Sequence, residues 1–182
     1  MGLSGTLVGI AIGISSLWDG ISDPLMGHIS DHTKNGFFGK RLKFMLLAIF
    51  LIGICNTLLW SMPKGSQAFM FLWLLVFMLL LETANTLWST PFSALALDMA
   101  PDYNEQSKIQ SYKTAFNIVG MILPSILVFF IMPSVSLGTN AAEASQGGFI
   151  KLALINSLLV FAFGLITIFG SLRRVQTHVH YT

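Results

Sequence analysis

The chain has 182 residues, of which 54% are hydrophobic and only 10% charged, and its formal net charge is +2. A soluble domain carries about 25% charged residues. This composition, with a mean hydropathy of +0.73, therefore excludes an ordinary soluble domain and predicts a protein embedded in a membrane. The single cysteine, Cys55, excludes a disulfide framework.

Five apolar segments follow one another along the chain, and each can supply the roughly 20 residues that cross a bilayer as a helix. They are continuous rather than alternating, which favours helices over the strands of a membrane barrel. We therefore predict an all-α membrane protein with one transmembrane helical domain over residues 1–182. The predicted spans are 3–30, 42–62, 68–97, 108–132 and 149–171.

Basic residues are concentrated in alternate loops of this arrangement. Eight lie on one side of the membrane, whereas the other side has only Lys64 and Lys151. The eight are Lys34, Lys40, Arg41, Lys43, Lys108, Lys113, Arg173 and Arg174. The positive-inside rule predicts that these eight are cytoplasmic. We expect a multi-pass protein of the inner (plasma) membrane, in contact with the lipid bilayer, with a cytoplasmic C-terminus and an external N-terminus.

The first predicted span contains two carboxylates, Asp19 and Asp23. A charged side chain at the bilayer centre costs about 2.5–3.5 kcal/mol on insertion scales. The two residues are four apart and share one helix face, so a bound cation or a shared proton would relieve their repulsion. Ser22 adds a hydroxyl oxygen. We predict a cation site, and the alternative is pairing with basic residues of a neighbouring helix.

The third span carries a polar stripe, because Glu82, Thr86 and Ser89 are spaced i, i+4, i+7 and Asn85 lies beside them. Such a stripe faces a bundle interior or a water-filled cavity, and hydrogen bonding between helices explains it equally well. Trp88 is a candidate stacking platform for a sugar, with simple packing as the alternative.

The ten residues 18–27, Trp-Asp-Gly-Ile-Ser-Asp-Pro-Leu-Met-Gly, carry a family resemblance. They resemble the W-D-x-x-[NS]-D-P-x-x-G segment of the glycoside–pentoside–hexuronide:cation symporters, which belong to the major facilitator superfamily. Residues 90–95 are similar to the P-[YF]-x-A-L motif of that family. Residues 101–105, followed by 111–113, resemble its P-D-Y-x-E-R-x-x-L-x-x-Y-R motif.

For the coupling ion, the resemblance implies a site made of Asp19, Ser22 and Asp23, completed by Thr86 of the third span. Na⁺ or H⁺ would bind there, with Asp19 and Asp23 as the carboxylate ligands of a Na⁺ ion. We predict no other cofactor, no other metal and no nucleic-acid partner.

For the substrate, the resemblance implies a sugar or glycoside. Ser89 stands where the family often has Asp or Asn near the sugar, and Lys113 stands where it has an arginine. Lysine lacks the bidentate fork of arginine. With Asn85 and Trp88 from the polar stripe, these residues are our candidate substrate contacts.

Residues 27–31 and 39–41 resemble the first cytoplasmic loop motif of the superfamily. We predict that Gly27, Asp31, Lys40 and Arg41 take part in gating the cytoplasmic side, and plain positive-inside anchoring is the alternative.

The resemblance also implies that this chain covers helices two to six of an N-terminal six-helix bundle. A first helix and a C-terminal bundle would complete a twelve-helix transporter with alternating access. Two alternatives remain, a carrier of lysolipids or other amphiphiles and a truncated, non-transporting membrane subunit. The sequence has none of the H-E-x-x-H or G-x-S-x-G patterns of enzymes, so we do not predict an enzyme.

Overall fold

Five long helices make up the fold in a computed structural model that describes residues 2–32, 39–98, 102–131 and 141–179. They are α1 (Gly5–His32), α2 (Gly39–Trp60), α3 (Gln67–Asp98), α4 (Tyr103–Ile131) and α5 (Ala141–Val179). These ranges contain no strand, which confirms the all-α prediction, and each predicted span coincides with one helix.

Four of these helices contain a stretch that is long and apolar enough to cross a membrane. The stretches are Gly5–Ile29, Leu42–Trp60, Gln67–Leu95 and Gly148–Ser171. The predicted span 108–132 coincides with α4, which is not among the four. The first turns of α4 are polar, with Asn104, Glu105 and Gln106 following its first residue. The chain is therefore a multi-pass membrane protein in which α4 has the least apolar beginning.

Serine side chains begin two of the helices. The hydroxyl oxygen of Ser4 accepts a hydrogen bond from the backbone N–H of Leu7 at 3.4 Å, and that of Ser66 accepts one from the N–H of Phe69 at 3.3 Å. In both cases the serine precedes the first helical residue and satisfies an amide that has no partner within the helix. These two caps fix the starts of α1 and α3.

Helix α3 is the centre of the described fold. It packs between α1 and α2, and α2 packs in turn against α5. By contrast, α1 touches α2 only slightly, and α4 makes few contacts, with α3 and α5. Two buried clusters hold α3 to its neighbours, one around Met45 and Ile49 and one around Ala48 and Leu87, and Trp88 packs against both.

Helices α2 and α5 approach each other closely through small and polar residues. The Nδ2 atom of Asn56 lies 3.3 Å from the carbonyl oxygen of Ala153 and 3.3 Å from the hydroxyl of Ser157. The same hydroxyl lies 3.0 Å from the carbonyl oxygen of Gly53. Gly164 faces Ile49 so closely that a Cβ atom added to it would lie 2.5 Å from the Cγ2 atom of Ile49. Small residues permit such close helix packing in membranes.

Candidate functional site

A row of side-chain hydrogen bonds joins α1 to α3, and we call it the α1–α3 seam. Its three pairs are Ser15 with Glu82, Trp18 with Thr83, and Ser22 with Thr86. Residue numbers rise together along both helices, so α1 and α3 run parallel. The seam therefore brings Ser22 of the first span together with Thr86 of the third, and it includes Glu82, whereas Ser89 of the predicted polar stripe is exposed outside it.

Two of the four predicted ion ligands, Ser22 and Thr86, meet in this seam, and their hydroxyl oxygens lie 3.3 Å apart. Both side chains are buried, with 6% and 1% of their surface exposed. Each hydroxyl also has a backbone acceptor on its own helix. Ser22 Oγ lies 3.3 Å from the carbonyl oxygen of Asp19, and Thr86 Oγ1 lies 3.1 Å from that of Glu82. If both protons are donated there, the two oxygens do not hydrogen-bond to each other, and each keeps lone pairs for a ligand between the helices.

This spacing suits a hard cation. Ca²⁺, which has nearly the radius of Na⁺, takes oxygen ligands at about 2.3–2.6 Å. An ion about 2.4 Å from both hydroxyl oxygens would see them at an angle of about 87°, close to the right angle of octahedral coordination. The two hydroxyls can thus act as neighbouring ligands of one ion.

The two aspartates differ in their surroundings. The side chain of Asp19 is half-buried and that of Asp23 is exposed. Within the described ranges neither carboxylate takes part in an ion pair or a side-chain hydrogen bond, so the alternative of pairing with a neighbouring base gains no support there. No three His, Cys, Asp or Glu side chains of this part of the chain cluster closely enough to hold a metal.

Sequence reasoning missed Ser15 and Thr83 as members of the seam. The Ser15 hydroxyl donates to Glu82 Oε1 at 3.4 Å, and the Thr83 hydroxyl accepts the indole N–H of Trp18 at 2.9 Å. The signal for Ser15 was present, because Ser15, Asp19 and Ser22 have the same i, i+4, i+7 spacing as the stripe on the third span. Nothing in the spacing indicated Thr83.

The candidate substrate residues lie on a different face of α3. Asn85 and Ser89 are exposed, and Ser93, one turn further on, accepts a hydrogen bond from the Lys113 ammonium at 2.9 Å. The Lys113 Nζ atom also lies 5.7 Å from the ring centroid of Phe92. Ser93 was not predicted. The structure therefore brings Lys113 of α4 to the end of an Asn85–Ser89–Ser93 row.

Trp88 lies apart from this row, in the packed interior. Its ring stacks on Phe92 with the centroids 5.9 Å apart, and it contacts both buried clusters. The packing alternative describes this environment, and the role of Trp88 as a sugar platform stays a prediction.

Of the four predicted gating residues, only Gly27 has fully described surroundings. Asp31 lies in α1, and Lys40 and Arg41 lie in α2, but their side chains and residues 33–38 are outside the described part. Gly27 faces Thr90 across the α1–α3 contact, and an added Cβ would lie 3.9 Å from the Cγ2 atom of Thr90. That distance is an ordinary van der Waals contact.

We expect Gly27→Ala to leave the stability of the protein unchanged or slightly raised. The new methyl group fits beside Thr90 without displacement, and alanine favours the helical state over glycine by up to about 1 kcal/mol. Thermal unfolding in detergent would test this. A clear loss of stability would contradict the packing described here, whereas a loss of transport in a stable variant would point to gating.

A shallow open cavity of about 730 Å³ runs along one face of α4. Its polar lining residues are Tyr103, Gln106, Ser107, Gln110, Ser111 and Thr114, and its remaining lining residues are Ala115 and Ile118. All of these belong to α4, so the described residues provide one wall of this cavity and no opposing wall.

Four helices that are apolar enough to cross a membrane, two of them joined by a polar seam, define the chain as a polytopic membrane protein. A family model described as MFS/sugar transport protein matches residues 1–181, and the chain belongs to this family. This match confirms the membership that the motifs of α1 and α3 indicated.

Similar proteins are named as symporters. An uncharacterized symporter of Synechocystis sp. is 28% identical over 164 residues, which cover 87% of this chain and 30% of the relative. The inner membrane symporter YicJ of Escherichia coli is 28% identical over 165 residues, which cover 89% of this chain and 35% of the relative. The sodium-dependent lysophosphatidylcholine symporter 1-B of Danio rerio is 24% identical over 114 residues, covering 63% and 22%. The chain thus spans about a third of these relatives or less.

Proposed function

We propose that the chain forms part of a cation-coupled symporter of the inner membrane that works by alternating access. The observation that carries the proposal is the buried Ser22–Thr86 oxygen pair, 3.3 Å apart, between α3 and α1, the helix that also carries Asp19 and Asp23. The proposed ion ligands are Asp19, Ser22, Asp23 and Thr86. The names of the matched relatives as symporters support the same class.

Na⁺ is the better candidate for the coupling ion. Hydroxyl groups are ordinary ligands for hard cations, but they do not take up a proton at neutral pH. A proton would need only the carboxylates, and the buried hydroxyl pair would then serve only to hold α1 against α3. One matched relative is named as sodium-dependent, which agrees with this choice.

For the substrate, we propose a sugar or glycoside bound beside Asn85, Ser89 and Lys113. Exposed amide and hydroxyl groups on a membrane helix suit a polyol, because both donors and acceptors are available. Trp88 would then contribute through its packing against Phe92.

A second candidate is a lysolipid or similar amphiphile. The Lys113 ammonium lies beside the apolar ring of Phe92, and Phe116 and Met121, further along α4, also expose apolar side chains. A cation next to an apolar track suits an anionic headgroup followed by an acyl chain. The Danio rerio relative is named for such a substrate.

The proposed transporter requires further helices. The polar face of α4 lines an open cavity without an opposing wall among the described residues, and exposing such a face to lipid is unfavourable. We propose that a preceding helix and a C-terminal bundle complete the transport path, with substrate between two bundles that rock against each other. The alternative is a non-transporting membrane subunit.

Uptake into proteoliposomes that contain the complete transporter tests the proposal. Labelled sugars and labelled lysophosphatidylcholine are offered in turn, with inward gradients of Na⁺ or of protons. Sugar uptake driven by Na⁺ is the expected result. Uptake of the lysolipid alone supports the second candidate, and uptake that ignores both gradients contradicts cation coupling. Coupling that survives unchanged in both Asp19→Cys and Asp23→Cys would exclude the proposed site.

We expect Lys113→Gln to raise the substrate KM about tenfold or more while the Na⁺ dependence stays the same. Hydrogen bonds to charged groups contribute about 1.5–3 kcal/mol, and glutamine keeps a donor but loses the charge. Uptake kinetics at saturating Na⁺ measure the effect. Lys108→Gln, an exposed lysine on the same helix, is the matched control and should leave KM unchanged. An equal effect of the two substitutions would contradict a specific role for Lys113.

A further inference from the structure

The contact between Trp18 and Thr83 has the shortest distance of the three seam pairs. The indole Nε1–H of Trp18 donates to the Thr83 hydroxyl oxygen at 2.9 Å, whereas the other two pairs are separated by 3.3 and 3.4 Å. The roles of donor and acceptor are fixed, because an indole can only donate. The hydroxyl proton of Thr83 goes to the carbonyl oxygen of Leu79 at 2.8 Å. The Trp18 indole N–H and the Thr83 hydroxyl proton therefore each have one defined acceptor.

This contact lies one helical turn from the proposed ion ligands. Trp18 precedes Ser22 by four residues, and Thr83 precedes Thr86 by three, so the two pairs are neighbours along the same seam. Any shift of α1 along α3 that separates Ser22 from Thr86 must also stretch the Trp18–Thr83 hydrogen bond. The Ser22–Thr86 and Trp18–Thr83 distances therefore change together.

The buried residues along the α1–α3 contact differ in size at its two ends. Before Trp18 and beside Thr83 they are small, namely Ala11, Ser15 and Ala84, and small side chains let helices approach closely. Beyond Ser22, Met26 and Leu87 belong to one buried apolar cluster. Trp18 itself is 41% exposed, so its ring is not a core side chain held by burial alone. At the end with small side chains, the directional hydrogen bond adds to the packing in setting the register.

The geometry points to Trp18 and Thr83 as positioning residues that set the cation affinity of the Ser22–Thr86 pair. An ion between the two helices requires both hydroxyl oxygens at bonding distance at the same time, within a few tenths of an ångström. When α1 and α3 are held in register, the two hydroxyl oxygens are already positioned for the ion. When the helices can slide, ion binding has to fix their register, and this cost lowers the affinity for the ion. This inference rests on the proposed function.

The test measures the Na⁺ concentration for half-maximal uptake in the complete transporter. We expect Trp18→Phe and Thr83→Val each to raise it about five- to tenfold, while the uptake rate at saturating Na⁺ stays close to normal. Thr83→Ser keeps the accepting hydroxyl and should restore normal Na⁺ dependence. The double variant should be no worse than either single variant, because both remove the same bond.

A matched tryptophan provides the control. The indole of Trp73 donates to the carbonyl oxygen of Leu58 at 3.0 Å, away from the seam, and Trp73→Phe should leave the Na⁺ dependence unchanged. If Trp73→Phe shifts it as much as Trp18→Phe does, the effect reflects general loosening and the inference is overturned.

The outcome also separates this inference from the proposed function. If Thr86→Val weakens the Na⁺ dependence but Trp18→Phe and Thr83→Val do not, the ion site stands and the positioning role is wrong. If Thr86→Val has no effect either, the proposed ion site itself fails. Additive effects of Trp18→Phe and Thr83→Val would show that the two residues act independently and would likewise overturn the inference.

Discussion

Replacing Thr86 by valine should raise the Na⁺ concentration required for half-maximal transport at least tenfold. Valine has almost the same shape as threonine, so the buried packing at this position, where only 1% of the side chain is exposed, is preserved. The hydroxyl that faces Ser22 at 3.3 Å is lost. Interactions of a hydroxyl with a charged group are worth about 1.5–3 kcal/mol, which corresponds to a factor of about 10–100 in affinity.

The matched control is Thr167→Val on α5. The Thr167 hydroxyl donates to the carbonyl oxygen of Phe163 at 2.9 Å, just as that of Thr86 donates to its own helix at 3.1 Å. Both substitutions therefore remove the same kind of intrahelical bond, but only one removes an oxygen from the seam. Uptake measured over a range of Na⁺ concentrations compares them. Equal Na⁺ dependence in the two variants would contradict a ligand role for Thr86.

Gly164→Ala should destabilise the protein by about 1–3 kcal/mol, the usual range for overpacking a dense interior. The added Cβ would lie 2.5 Å from the Cγ2 atom and 3.5 Å from the Cβ atom of Ile49. Ile49 is 1% exposed, and a β-branched side chain has few other rotamers. The Cγ2 methyl group of Ile49 therefore cannot rotate away from the new Cβ atom, and α2 and α5 must move apart.

Gly170→Ala on the same helix provides the comparison, because a Cβ added at Gly170 meets nothing within 4 Å. Alanine there should be neutral or should stabilise α5 slightly. Thermal unfolding of both purified variants in detergent, followed by size-exclusion chromatography, gives the difference directly. A Gly164→Ala variant as stable as Gly170→Ala would show that the α2–α5 contact is looser than described.

The sequence predicted the number and order of the helices well but their ends less well. Residues 42–62 were predicted as a span, and α2 covers Gly39–Trp60. The predicted span 149–171 lies inside a much longer helix, α5, which covers Ala141–Val179. The length of an apolar run follows the thickness of the bilayer, whereas backbone hydrogen bonds can extend the helix beyond the lipid into polar surroundings. The ends of the apolar run and the ends of the helix therefore need not agree.

The candidate site could be predicted from the sequence to the extent that it lies on single helices. Asp19, Ser22 and Asp23 follow from their spacing and motif and Thr86 from the family resemblance, and their role as ion ligands stays a prediction. The pairing of Trp18 with Thr83 was not predictable, because it depends on the register between two helices separated by α2 in sequence. Periodicity within one helix carries no information about that register. The exposure of Asp23, in contrast to half-buried Asp19, is likewise decided by packing between helices.

The arrangement of α1 has a consequence for how an ion would act. Within the described residues, α1 is attached to the rest of the bundle almost entirely through α3, since it barely touches α2. An ion bound between Ser22 and Thr86 would therefore cross-link a helix that otherwise has a single attachment. The proposed coupling ion would thus reinforce the one extensive contact that α1 makes within the described residues, and its release would leave that contact to the side chains alone.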